Sequence, residues 1–110
     1  MTITIKGTNL DLTPALKQYA TEKVLNIEKF LPSIVLAELE LERTTRHHQK
    51  GLVWLAEANL HAPQHLFRAE AFGEDIYKAI DALKKELKHA IGSLKEKRAG
   101  AIRKARRSKR

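Results

Sequence analysis

Cysteine is absent from the chain, so neither disulfides nor thiolate chemistry is available to it, as suits a cytoplasmic protein. Long apolar runs are missing too: no stretch approaches the ~20 residues that a membrane span needs. The start, Met1-Thr2-Ile3-Thr4-Ile5-Lys6, has neither the basic opening nor the apolar run of a secretory signal. Catalytic signatures are equally scarce, with no glycine-rich phosphate loop, nucleophile elbow or HExxH pattern. Asp75 and Asp81 share a predicted helix but lie about 120° apart around it, so they do not form a working carboxylate pair. His47 and His48 adjoin Arg46 and Lys50, cations that disfavour a metal, and His61, His65 and His89 have no evident partner. The chain is therefore expected to have no catalytic residue, no metal, no cofactor and no small-molecule substrate.

What is present is enough apolar material for one core, with 43% hydrophobic and 31% charged residues in 110. The net charge of +8 is unevenly placed. From Lys84 to Arg110 twelve Lys/Arg face two acids, Glu86 and Glu96, a local +10; the first 83 residues hold nine against eleven, a local −2. Basicity gathered at one end points to a polyanionic partner, with nucleic acid favoured over membrane.

The order of elements follows from periodicity. Ile3 and Ile5 alternate with Thr2, Thr4 and Lys6, a half-buried strand over 2–8. Thr13-Pro14 opens a helix as N-cap and first-turn proline; Leu16, Tyr19, Ala20, Val24, Ile27, Phe30 and Leu31 form its apolar stripe before Pro32. Alternation returns with Val35, Ala37, Leu39 and Leu41 against Glu38, Glu40 and Glu42. A polar basic connection of hairpin type over 44–51 leads to a strand from Gly51 to Ala62, a tight turn at Ala62-Pro63-Gln64, and a strand from Leu66 to Phe72. The last helix opens at Gly73-Glu74-Asp75 with the stripe Ile76, Ile80, Leu83, Leu87, Ile91 and Leu94. The predicted class is α+β, β-α-β-β-β-α, a four-stranded sheet with two helices packed on one face. Residues 1–97 should form the folded domain and 98–110 a disordered basic tail.

On a wheel started at Ile76, the core stripe of the last helix spans about 340° to 60°, while Lys84, Lys88 and Lys95 fall near 80–120° as a row on one flank. Lys78 and Lys85 fall on the outer face. Acids are too few here for i,i+4 pairing to account for the lysines, so the row suits phosphates better than a merely solvated face. The tail adds Arg98, Arg103, Lys104, Arg106, Arg107, Lys109 and Arg110, as a second anchor or a solubilising end. Lys23 lies at the edge of the first helix's stripe, equally consistent with a stem snorkelling over the core and with a cation at the groove between helices. The wet sheet face carries Glu38, Glu40, Glu42, Glu57 and Glu70, which repel phosphate; RNA should approach from the helix side. Trp54 shares its face with small apolar residues and is expected in the core rather than as a base reader.

One segment carries a resemblance. Gly73-Glu74-Asp75-Ile76-Tyr77-Lys78-Ala79-Ile80-Asp81-Ala82-Leu83 is similar to the last-helix motif of the ribosome hibernation-promoting factor family, which includes the ribosome-associated inhibitors. Ile3-x-Ile5-x-Gly7, Thr13-Pro14-Ala15-Leu16, Glu22-Lys23, Glu28-Lys29-Phe30 and His47-His48-x-Lys50-Gly51 support it, and the likeness covers roughly residues 2–97. The resemblance implies the same element order. It further implies a protein lodged on the small ribosomal subunit near the decoding region, occupying space that tRNA and mRNA need and silencing translation under stress. By position it implies rRNA contacts at Lys23, Lys29, Lys95 and Lys97, to which the wheel adds Lys84, Lys85 and Lys88. Asp75, Tyr77 and Asp81 match motif positions and should cap, pack and orient. Glu86 and Ser93 stand where relatives often have basic residues, which thins the usual site. The expectation is the short form, a monomer off the ribosome, without the domain through which long members pair ribosomes and without the inhibitors' acidic tail. A general double-stranded RNA-binding domain, and an interaction module for an acidic protein, remain alternatives.

Overall fold

The computed structural model describes residues 1–44 and 53–108, with side chains through Lys97. Six elements follow in order: β1 (Thr2–Thr8), α1 (Pro14–Phe30), β2 (Leu36–Arg43), β3 (Trp54–Ala62), β4 (His65–Gly73) and α2 (Ile76–Ser108). Each starts where local chemistry allows it. At α1 the Thr13 hydroxyl accepts the Leu16 N–H at 3.1 Å, and Pro14 fills the first turn, where a missing N–H leaves nothing unsatisfied. Leu16, Ala20, Val24 and Ile27 are buried at the predicted spacing. Phe30, expected in that stripe, is 39% exposed. Val35, expected to line the core, is 59% exposed because β2 begins one residue later; its backbone still joins the ladder through the His61 carbonyl at 2.8 Å.

The strands lie in the order β1-β2-β3-β4. β1 and β2 are parallel, joined by the α1 crossover that parallel neighbours require, and β2-β3-β4 is an antiparallel meander. Register places Ile3, Ala37, Leu60 and Phe67 in one line across the sheet, and Ile5, Leu39, Ala58 and Ala69 in the next. These lines belong to one cluster with the buried faces of both helices, so the helices share a side of the sheet and the core sits between the layers. Small residues (Ala37, Ala56, Ala58, Ala69, Ala71) at the sheet centre let the helices approach closely. The two-residue connection Pro63-Gln64 closes β3-β4, with Ala62 paired to His65 and Gln64 at φ 61°, a left-handed conformation that glutamine seldom adopts. The hairpin connection around His47 and His48 lies outside the described residues.

At the entry to α2, Asp75 accepts the Lys78 N–H through its carboxylate at 2.8 Å and the Ala79 N–H through its carbonyl at 3.1 Å, a cap rather than a first-turn residue. Gly73, just before, has no room for a side chain: a Cβ there would stand 2.5 Å from the Ala79 nitrogen and 2.9 Å from the Asp75 oxygen. The absent methyl is what lets α2 fold back over the end of β4. The α2 backbone is helical to Ser108, past Arg98, where the sequence pattern fades. Ala, Arg and Lys between 98 and 108 are good helix formers and no proline interrupts them.

Candidate nucleic-acid interface

The two helices pack side by side, and the cleft between them is floored by Ala20, Val24, Ile27, Leu83 and Leu87, with Lys23 and Lys84 at its rim. Lys23 is the α1 contribution. Its ammonium lies 3.4 Å from the Asp81 carboxylate and 5.0 Å from the centre of the Tyr19 ring. The Tyr19 hydroxyl donates to the same carboxylate at 2.5 Å, and the Tyr19 and Tyr77 rings meet edge to face at 4.9 Å. Asp81 thus fixes two α1 side chains. Its hydrogen bonds hold both the Tyr19 phenol and the Lys23 ammonium above their ordinary pKa. Both earlier readings of Lys23 meet here: its stem covers the core edge and its charge sits at the groove.

Lys84 is in the opposite condition. It is half-buried, and desolvation first, then the charges of Lys88 and Lys23, push its ammonium below the ordinary lysine range, with Asp81 offsetting only part. Among the described residues Lys84, Lys85 and Lys88 form no ion pair. Lys95, in the same row, donates to the Phe30 carbonyl at 2.6 Å and stands 4.4 Å above the Phe30 ring. That explains the exposure of Phe30, which covers a lysine instead of the core. The ammonium closes the carbonyl end of α1, where a cation is favoured by the helix dipole.

The structure therefore brings together Lys23, Lys84 and Lys88, and ties Lys95 to the far end of the groove. It does not gather the rest. Lys85 and Lys29 are exposed on outer faces, Lys29 about 220° around α1 from Leu16, and Lys97 lies about 300° from Ile76, on the flank opposite Lys95. The side chains of Arg98, Arg103, Lys104, Arg106 and Arg107 lie outside the described residues. On the open face of the sheet, Lys6, Glu40, Glu57 and Glu70 stand in register across the four strands, and Glu38 pairs with His61. That face is acidic. Periodicity places Asp81 on the lysine flank, but its Tyr19 and Lys23 partners come from another element and no spacing in the chain announces them; the Lys95–Phe30 contact escapes for the same reason.

Fold and charge define a class: an α+β domain with an acidic open sheet face and a row of cations along the seam of its paired helices. The chain belongs to the family described as Sigma 54 modulation protein / S30EA ribosomal protein, whose model matches residues 3–99. Its relatives are ribosome hibernation promoting factors, in agreement with the motif resemblance. The one from Klebsiella oxytoca is 33% identical over 99 residues, covering 88% of this chain and 96% of that protein. The one from Acidithiobacillus ferridurans is 36% identical over 81 residues, covering 74% of this chain and all (100%) of that protein. Among solved structures, a ribosomal subunit interface protein from Coxiella burnetii superposes with a TM-score of 0.74 at 24% identity, covering 87% of this chain and 99% of that one. The likeness extends the fold: the β-α-β-β-β-α order expected from periodicity is the one observed.

Proposed function

We propose that this chain is a cytoplasmic ribosome hibernation factor that binds rRNA of the small subunit near the decoding region, where its bulk blocks tRNA and mRNA and silences translation under stress. The observation that carries the reading is Lys84, held at the groove rim with Lys23 against desolvation and the like charges of Lys88 and Lys23. Charges gathered at the expense of the free protein are relieved by a polyanion, from whose phosphates the lysines release condensed counterions. The acidic sheet face turns the opposite side of the molecule away from RNA. The printed names of the relatives, ribosome hibernation promoting factor and ribosomal subunit interface protein, support the partner.

The experiment is co-sedimentation with isolated small subunits, comparing the native chain with the Lys84→Glu, Lys88→Glu double variant. Lys95 is left intact, because a carboxylate there would face the Phe30 carbonyl and disturb the fold. The expected result is stable association of the native protein and loss of association in a double variant that remains folded. Undiminished association of that variant would place the interface elsewhere, and binding to free duplex RNA without small-subunit binding would favour the general RNA-binding reading.

A further inference from the structure

The helix-facing side of the sheet is not fully roofed. Where α1 and α2 begin, beyond the edge of the main core, a cleft of about 350 Å³ opens between the helix entries and the ends of β2 and β3. That lies near the lower bound of small-ligand sites. Its walls include Trp54, Tyr77 and Arg43, with Leu16 and Ile76 beneath and Asp11 at the rim. Trp54 packs on the core, as expected, yet is only half-buried, and Tyr77 is 40% exposed. The Arg43 guanidinium sits 5.6 Å from the centre of the Trp54 ring. Two aromatic rings and a guanidinium plane are the surfaces on which an unstacked base is received.

The cleft neighbours the lysine groove, the Tyr19–Tyr77 ring contact standing between the two. Tyr77 touches Tyr19, and Lys23 lies over Tyr19. On α2, Tyr77 shares the flank of Lys84 and Lys88 and precedes Lys84 by about 10 Å along the axis. We infer that this cleft takes a single unstacked nucleobase, next to the cations that hold the phosphates of the same strand. The inference deepens the proposed function and rests on it for the identity of the strand, while the nucleobase chemistry stands on the cleft alone. Arg43 supplies the cation, and Asp11 an acceptor for an N–H on a base's edge, such as uracil N3–H or an exocyclic amino group. Gly73, paired with Trp54, keeps the site open by letting α2 cross close to the strand end.

Trp54 is the one tryptophan in the chain, so its emission reports this cleft directly. The full chain is titrated with single-stranded hexauridylate, with a blunt RNA duplex, and with UMP and AMP. Saturable quenching by hexauridylate but not by the duplex is expected. Tyr77→Ala and Arg43→Gln should each weaken it about tenfold, the scale of one lost stacking partner, with Tyr77→Phe close to native. Quenching by hexauridylate alone assigns the base to a strand; comparable quenching by UMP or AMP assigns the same site to free nucleotides. Emission that ignores every probe, responds equally to duplex, or is unchanged in the Arg43→Gln and Tyr77→Ala proteins overturns the inference. Small-subunit co-sedimentation, run alongside on the native chain, fails only if the ribosomal reading fails.

Discussion

At Lys84 the free protein holds an ammonium group half out of water, with Lys88 and Lys23 adding repulsion and Asp81 offsetting part of it. A lysine pushed below its ordinary range binds its proton less well folded than unfolded, so stability rises with pH in the window just below 10.5. Lys23 and Tyr19 have the opposite sign. Their raised values favour the protonated forms in the fold, and that contribution, present below their ordinary range, fades as pH climbs through it. Replacing Lys84 by Met should therefore raise the melting temperature at neutral pH, remove part of the alkaline gain, and weaken small-subunit binding. A variant less stable than the native chain, or one binding as tightly, would contradict the account. Lys95 matches its predicted flank, but only the fold shows that its ammonium also closes the end of α1.

Among the elements, the start of α2 carries the tightest steric requirement. Gly73→Ala sets a methyl against backbone atoms of Asp75 and Ala79, which move only with the helix itself. The expected destabilisation is about 1–3 kcal/mol in urea unfolding, the usual result of overfilling a packed site. The denaturant slope should stay unchanged; a loss within ±0.5 kcal/mol would show that the turn yields freely. Element type and order were legible because every strand alternates and both helices carry a 3.6-residue stripe. Ends were less so. Val35 and Phe30 obey the pattern yet are exposed, Val35 standing just before β2 and Phe30 at the last position of α1, where it meets Lys95 instead of the core.

For the molecule as a whole, separation of charge is the governing feature: a register-aligned Glu40-Glu57-Glu70 row on one side, the lysine groove on the other. If about five phosphates are neutralised, the logarithm of the binding constant should fall with the logarithm of salt with a slope of about −4. Removing residues 98–110 should flatten that slope while leaving measurable binding, because the groove belongs to 1–97. A slope near zero would exclude phosphate contact as the source of affinity. Much of the candidate site was visible in advance: the row Lys84, Lys88 and Lys95 follows from wheel arithmetic. Lys29 and Lys97, grouped only by the family likeness, and Lys85, added from the wheel, are dispersed on other faces once the helix axes are fixed.

By itself the sequence determined the element order, the two-sided charge and the helix flank on which the cations lie, because all three depend on period and composition within a segment. Tertiary structure alone decided that α1 would set Tyr19 and Lys23 against Asp81, that Phe30 would meet Lys95, and that Arg43, Trp54 and Tyr77 would wall one cleft. Those contacts join residues up to 65 positions apart. Packing chooses such neighbours by fitting helix surfaces onto a twisted sheet, a constraint that no local repeat in the chain records.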